Sequence, residues 1–225
     1  MKCIILAAGK GTRLKPLTDH TPKPLLPIKG RPLLEYTLEN LPDEVDDVII
    51  VVKHLGHLIK EHFGKKWAGK KLTYLNAVGL RGTADMIRQA KRFVKGKTLV
   101  ICGDDIYKKS DLARLLVEVP ESEWGILVAE RDDASNFGVL SLNTRGTVAA
   151  VIEKPEHPAS NLVNAGAYLF DERIFKYRPV KLASGEYGLP QTMAQAKEKI
   201  IIRAVRALFW QPISTLQDYE KAKNG

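Results

Sequence analysis

The stretch Leu6–Ile28, LAAGKGTRLKPLTDHTPKPLLPI, grows directly out of a short apolar run, Cys3 to Ala8, near the start of the chain. An apolar strand that empties into Gly9-Lys10-Gly11-Thr12-Arg13 has the look of an open parallel α/β sheet, whose ligands bind beyond the carboxyl ends of the strands. Glycines there let backbone N–H groups approach an anion closely. Neither common phosphate loop fits. A dinucleotide fingerprint needs glycine where Leu14 stands, and a Walker loop ending in Gly96-Lys97-Thr98 needs glycine where Lys91 stands. What remains is a glycine loop followed by Arg13 and Lys23, at a spacing set by Pro16, Pro22, Pro24 and Pro27, which deny the segment a regular helix. An incidental surface turn does not need so many constraints.

Outward from this loop, apolar runs of strand length alternate with helix-like segments. Strands are expected at Lys2 to Ala7, Asp47 to Val52, Leu72 to Leu75 and Thr98 to Cys102. Helices are expected at Leu33 to Asn40, His57 to Phe63, Ala84 to Phe93 and Leu112 to Val119. The rhythm predicts an α/β fold, a Rossmann-like and mainly parallel sheet with helices on both faces. After Trp124 the strands crowd together, at Gly125 to Ala129, Gly138 to Leu142, Val148 to Ile152 and Leu162 to Phe170, and predict a small antiparallel insertion. An exposed loop from Lys181 to Gly188, a helix from Leu189 to Lys197, a strand from Ile200 to Arg206 and a helix from Thr215 to Lys223 complete the expected order.

Composition narrows the partners. The longest aliphatic run, Val48 to Val52, is far short of the roughly twenty residues of a spanning helix, so no membrane partner is expected. The N-terminal apolar segment lacks the cleavage site of a signal peptide. Cys3 and Cys102 each sit in an apolar strand, without the spacing of a disulfide framework or a zinc site, and a reducing cytoplasm is expected. The formal charge is +9, but the lysines come as scattered pairs such as Lys65-Lys66 and Lys70-Lys71, without interleaved aromatics. No nucleic-acid partner is expected. A basic excess suits small phosphate-bearing substrates instead. His54, His57 and His62 are read as surface or helix-packing residues.

The segments Leu6 to Thr18 and Pro22 to Ile28 are joined by Gly82-Thr83-Ala84-Asp85, Gly103-Asp104, Phe137-Gly138, Glu153-Lys154-Pro155, Ser160-Asn161 and Asn164-Ala165-Gly166. Together they closely resemble the signature of the sugar-1-phosphate nucleotidylyltransferases, over essentially the whole chain. The resemblance implies a reaction: an oxygen of a sugar 1-phosphate attacks the α-phosphorus of a nucleoside triphosphate, giving a nucleotide sugar and pyrophosphate. It implies one nucleotidyltransferase domain over 1–225, with a nucleotide-binding half at 1–120 and a sugar-binding half at 121–225. Arg13 and Lys23 are then the catalytic pair that neutralises the triphosphate and the departing pyrophosphate. Leu6, Ala8, Gly9, Gly11, Thr12, Gly82 and Thr83 are implied to bind the nucleotide, and Gly138, Glu153, Lys154, Asn164 and Gly166 the sugar. Asp104 is the implied ligand of Mg²⁺, with Asp105 either assisting or facing away. The implied partners are a nucleoside triphosphate, UTP or dTTP rather than GTP, and a sugar 1-phosphate. Oligomeric state stays open.

Two departures from the family pattern stand out. The family closes its site with Trp-x-Asp-[Ile/Val]-Gly-Thr, whereas this chain has Trp210-Gln211-Pro212-Ile213-Ser214-Thr215 and lacks the second metal-binding aspartate. A family Thr-Asp dipeptide is likewise missing where Gly185-Glu186-Tyr187 runs into Gly188-Leu189-Pro190-Gln191. The number of metal ions is therefore open, and so are two other readings: a cytidylyltransferase for phosphocholine or an alditol phosphate, and a nucleotide-sugar-binding protein without turnover. Arg13, Lys23, Asp104 and Lys154 favour an enzyme. Glu153-Lys154 with Asn164 favours a sugar over choline, whose ammonium asks for an aromatic cage.

Overall fold

The computed structural model describes residues 1–224. Its centre is a set of parallel strands lying side by side in the order Thr98–Cys102, Lys2–Leu6, Asp47–Val52 and Lys70–Asn76. Three of them have near-continuous apolar sequences, which follow from burial on both faces, whereas Lys70–Asn76 buries only Leu72. Ile4, Leu6, Ile49, Val51 and Val100 enter one core, while Cys3, Ile5, Val48, Ile50 and Ile101 enter the other. Helices Thr83–Gln89 and Leu189–Ala194 close the first face through Ala84, Ile87, Leu189 and Met193. Helices Leu33–Glu39, Gly56–Phe63 and Lys109–Glu118 close the second through Leu34, Leu38, Ile59, Phe63, Leu112 and Leu115. The expected Rossmann-like layering is present.

The strands of the second half extend this sheet. Leu162–Phe170 lies antiparallel on Thr98–Cys102, and Trp124–Glu130 and Gly138–Leu142 pair with it in turn. Val148–Glu153 then pairs with Gly138–Leu142, and the whole forms one 10-stranded sheet. The antiparallel element is thus continuous with the main sheet, and Ile202–Arg206 joins it parallel to Trp124–Glu130. Short elements escaped the sequence reading because two or three residues cannot display a period. Trp210–Pro212 pairs with Asp105–Tyr107, and Lys66–Trp67 with Lys70–Asn76. The expected exposed loop from Lys181 to Gly188 is in fact a hairpin, Val180–Lys181 against Tyr187–Gly188, anchored where Tyr187 N–H donates to the Arg81 carbonyl at 2.6 Å. The helix that follows stops at Ala194, short of Lys197. The helix after Gly82 likewise stops at Gln89, and a single 3₁₀ turn, Lys91–Phe93, takes its place.

The loop Leu6–Ile28 has a core of its own. Its prolines limit it to two single 3₁₀ turns, Thr12–Leu14 and Lys23–Leu25. Leu14, Leu26 and Ile28 pack with Leu33 against Ile213, Tyr219 and Ala222, and the Tyr219 hydroxyl donates to the Pro27 carbonyl at 2.8 Å. Each fully buried leucine here contributes roughly 1.5–3 kcal/mol. The C-terminal helix Leu216–Asn224 therefore braces the loop at the other end of the sequence. Among the described residues no helix is long and apolar enough to cross a membrane.

Candidate active site

A cleft of about 530 Å³ opens at the carboxyl ends of the parallel strands. Ala8 to Thr12 line it after Lys2–Leu6, Lys53 after Asp47–Val52, Leu80, Gly82 and Thr83 after Lys70–Asn76, and Cys102 at the end of its own strand. The facing wall comes from the second half: Glu153, Asn164, Tyr168, Leu182, Glu186 and Gln191. A second hollow of about 490 Å³, between Asn143 to Ala149 and Lys197 to Ile202, lies away from these strand ends and holds none of the expected site residues.

The glycine loop is tied down locally. The Gly11 carbonyl accepts from Leu14 N–H at 2.8 Å and from the Thr18 hydroxyl at 2.9 Å. This leaves Arg13 exposed on its turn and turns Lys23 inward. Lys23, 7% exposed, reaches Asp104 with Nζ 2.6 Å from Oδ2. Two residues that the sequence separates by 81 positions are thus one ion pair, at the end of the strand beside the loop. Leu6 lies beneath it as a buried strand residue, its carbonyl accepting from Gly103 N–H at 3.0 Å and so fastening the two loops together.

Asp105 does not face away into solvent. It is buried, and its Oδ2 accepts from Trp210 Nε1 at 3.1 Å and from the Tyr107 hydroxyl at 3.4 Å. Burial, reinforced by the neighbouring Asp104 charge, pushes its carboxyl up to about 7. Burial also raises the Cys102 thiol, again with Asp104 and Asp105 adding to the effect. Cys102, Asp104 and Asp105 bring one ligand atom each to within 4.8 Å of one another. Two carboxylates suit a hard cation such as Mg²⁺, whereas the thiol does not. Pro212, which stands where the family has its second aspartate, is the direct partner of Asp105 in the strand register. Directly opposed residues have Cβ atoms about 4.5–5.5 Å apart on the same side of the ladder. The facing strand thus carries a carboxylate next to the place where Pro212 lacks one.

On the other wall, Asn164 donates from Nδ2 to the Tyr168 hydroxyl at 2.8 Å and accepts from Gly166 N–H at 3.1 Å. Gly138 lies beside Glu153, and a Cβ on it would sit 3.1 Å from Glu153 Oε2. Lys154 is exposed just beyond the cleft, its N–H donating to the Phe137 carbonyl at 2.9 Å. Two expected site residues also have packing roles. The Thr83 hydroxyl oxygen already accepts from Leu189 N–H at 2.9 Å, joining two helix starts. Gly166 sits behind the cleft, in a bulge with φ near +72°, where a Cβ would meet Cys102 Sγ at 3.0 Å, the Tyr107 hydroxyl at 3.1 Å and Asp105 Oδ2 at 3.3 Å. The close approach of the acidic cluster by itself requires glycine here. Gly166→Ala is expected to destabilise by about 2–5 kcal/mol, combining left-handed strain of roughly 1–2 with overpacking of roughly 1–3. A denaturant midpoint equal to that of the wild type would refute this packing account.

Lys53, Cys102 and Gln191 line the cleft without having been singled out as site residues. Lys53 follows its strand directly, so the rule that ligands lie at carboxyl ends would have found it. Gln191 carried a signal too, standing in the segment where the family dipeptide is missing.

Residues 2–225 match the model of the nucleotidyl transferase family. The bifunctional protein GlmU of Methanocaldococcus jannaschii is 39% identical over 176 residues, 78% of this chain and 41% of that protein. The chain therefore spans less than half the length of this relative. The UTP–glucose-1-phosphate uridylyltransferase AglF of Haloferax volcanii is 32% identical over 221 residues, 92% of this chain and 86% of that one. Among solved structures, a Bacillus anthracis protein described as a glucose-1-phosphate thymidylyltransferase, crystallised with sucrose, matches with a TM-score of 0.87 at 26% identity. The match covers 99% of this chain and 94% of that one.

Proposed function

Since the chain belongs to the nucleotidyl transferase family, we propose that it transfers a nucleotidyl group from a nucleoside triphosphate, UTP or dTTP, to a sugar 1-phosphate and releases pyrophosphate. One observation carries this reading: a single cleft of about 530 Å³ is lined both by the glycine loop and by the Glu153–Asn164 wall. In such a transfer the protein has little covalent work and must align two phosphates and offset their charge. Gly9, Lys10, Gly11 and Lys53 line the cleft at the strand ends, where backbone amides of the two glycines and the two ammonium groups would receive the triphosphate. Arg13, exposed and unpinned at the loop's turn, closes on the departing pyrophosphate, where its planar fork holds two oxygens at once.

Asp104, with Asp105 behind it, would hold Mg²⁺. Held there, Mg²⁺ would supply positive charge to offset that of the phosphates. Lys23 pairs with the Asp104 carboxylate and holds it in place beside the loop. Glu153 accepts from sugar hydroxyls, Asn164 completes that wall, and Lys154 at the rim reaches the sugar phosphate. The test is pyrophosphate release for five nucleoside triphosphates crossed with hexose, N-acetylhexosamine and amino-alcohol phosphates. Turnover confined to amino-alcohol phosphates would overturn the sugar assignment. Lys154→Ala is expected to raise KM for the sugar phosphate about tenfold or more, with KM for the triphosphate little changed. A selective loss of triphosphate affinity in calorimetry would move Lys154 to the other substrate.

A further inference from the structure

Gln191 combines burial with a missing partner. It is 7% exposed, yet its Oε1 accepts no hydrogen bond, a condition shared among buried side-chain atoms of the described residues only by Asp47 Oδ1. Its Nε2 donates to Glu153 Oε2 at 3.3 Å, which fixes the amide orientation, since the flipped amide would set two oxygens against each other. The free Oε1 then lies over Gly188, where a Cβ would stand only 1.9 Å from it. Any other residue at 188 would expel the amide oxygen. Gln191, Gly188 and Glu153 all line the same cleft.

A buried amide oxygen without a donor is destabilising. An orphan acceptor on a cleft wall gains its donor when a ligand brings one. Glu153 is an acceptor as well, so the pair offers two acceptors side by side, a match for hydroxyls on a pyranose ring. Oε1 and Nε2 belong to one rigid planar amide, so Oε1 comes away from Gly188 toward the cleft by a shift of the whole side chain, the long 3.3 Å contact of Nε2 with Glu153 readjusting as it moves.

We propose that Gln191 is a specificity-determining residue of the sugar pocket: its amide bridges Glu153 and the substrate, holding the carboxylate through Nε2 and accepting from one sugar hydroxyl through Oε1. The proposal rests on the sugar 1-phosphate reading given above. It also gives a use to the residue that replaces the family dipeptide.

The experiment measures kcat/KM for the parent sugar 1-phosphate and its monodeoxy analogues with the full chain, Gln191→Met and Gln191→Glu. The wild type should reject one deoxy analogue by roughly tenfold or more, because removing that hydroxyl leaves the buried acceptor unpaired. Gln191→Met should lose this discrimination at that position alone and raise KM for the parent sugar phosphate, with KM for the triphosphate unchanged. Its melting temperature should be equal or higher, because the orphan oxygen is gone. Gln191→Glu sets two carboxylates together, so its activity should recover as pH falls from 8 toward 6 and the pair takes up a shared proton. Unchanged discrimination in Gln191→Met, or a uniform loss for every sugar together with a lower melting temperature, overturns the proposal while leaving the transfer reading standing. A wild type inactive with every sugar phosphate overturns both.

Discussion

Arg13→Ala is expected to lower kcat by roughly a hundredfold or more, the size found when one preorganised charge partner is removed from a transition state. The fold should be untouched. Arg13 is exposed and its turn is held by Gly11, Leu14 and Thr18, with Leu14 buried in the small core beneath. Because none of these contacts uses the guanidinium, circular dichroism and melting temperature should match the wild type. Arg13→Lys separates charge from geometry: a lysine keeps the charge but loses the two-pronged grip on phosphate, so it should restore only part of the rate. Near-normal turnover by Arg13→Ala would remove the residue from the mechanism.

Asp104→Asn should have the larger effect, a loss of roughly a thousandfold or more in turnover, because it removes charge from the metal site and from Lys23 together. Asparagine retains an oxygen that can accept from Lys23 Nζ, now 2.6 Å from the carboxylate, so the loop should stay in place. Mg²⁺ is commonly held through one or two carboxylates plus substrate phosphates. Calorimetry should therefore find Mg²⁺ binding that depends on the triphosphate in the wild type and is weakened in Asp104→Asn. A variant that binds Mg²⁺ and triphosphate as tightly as the wild type and turns over normally would shift the metal assignment to Asp105 alone. Pro212→Asp adds a carboxylate directly opposite Asp105. It should lower the Mg²⁺ concentration needed for half-maximal rate without changing sugar preference.

Much of this was legible in the sequence. Three of the parallel strands, Lys2–Leu6, Asp47–Val52 and Thr98–Cys102, are legible to within a residue because each is an almost wholly apolar run, as burial on both faces requires, while Lys70–Asn76, in which Leu72 alone is buried, is legible only over its middle. The glycine loop was legible for the opposite reason: Gly9, Gly11 and the prolines impose local backbone geometry that needs no distant partner to be recognised. Glu153, Asn164 and Asp104 entered through their resemblance to a family pattern, since an isolated Glu, Asn or Asp announces nothing by itself.

What tertiary structure alone decided are relations between distant segments. The ion pair of Lys23 with Asp104, the facing of Pro212 and Asp105, the brace from Tyr219 to Pro27 and the seat of Gln191 against Glu153 are all of this kind. Such contacts join short, polar or two-residue pieces, which carry no hydrophobic period to betray their pairing. The sequence determined which backbone could cradle a phosphate and which strands could form a buried sheet, because those choices are local or depend on one residue's solvation. Which carboxylate meets which ammonium, and which glycine must leave room for a neighbour, were settled only when the chain closed, because those choices depend on two surfaces meeting at van der Waals distance.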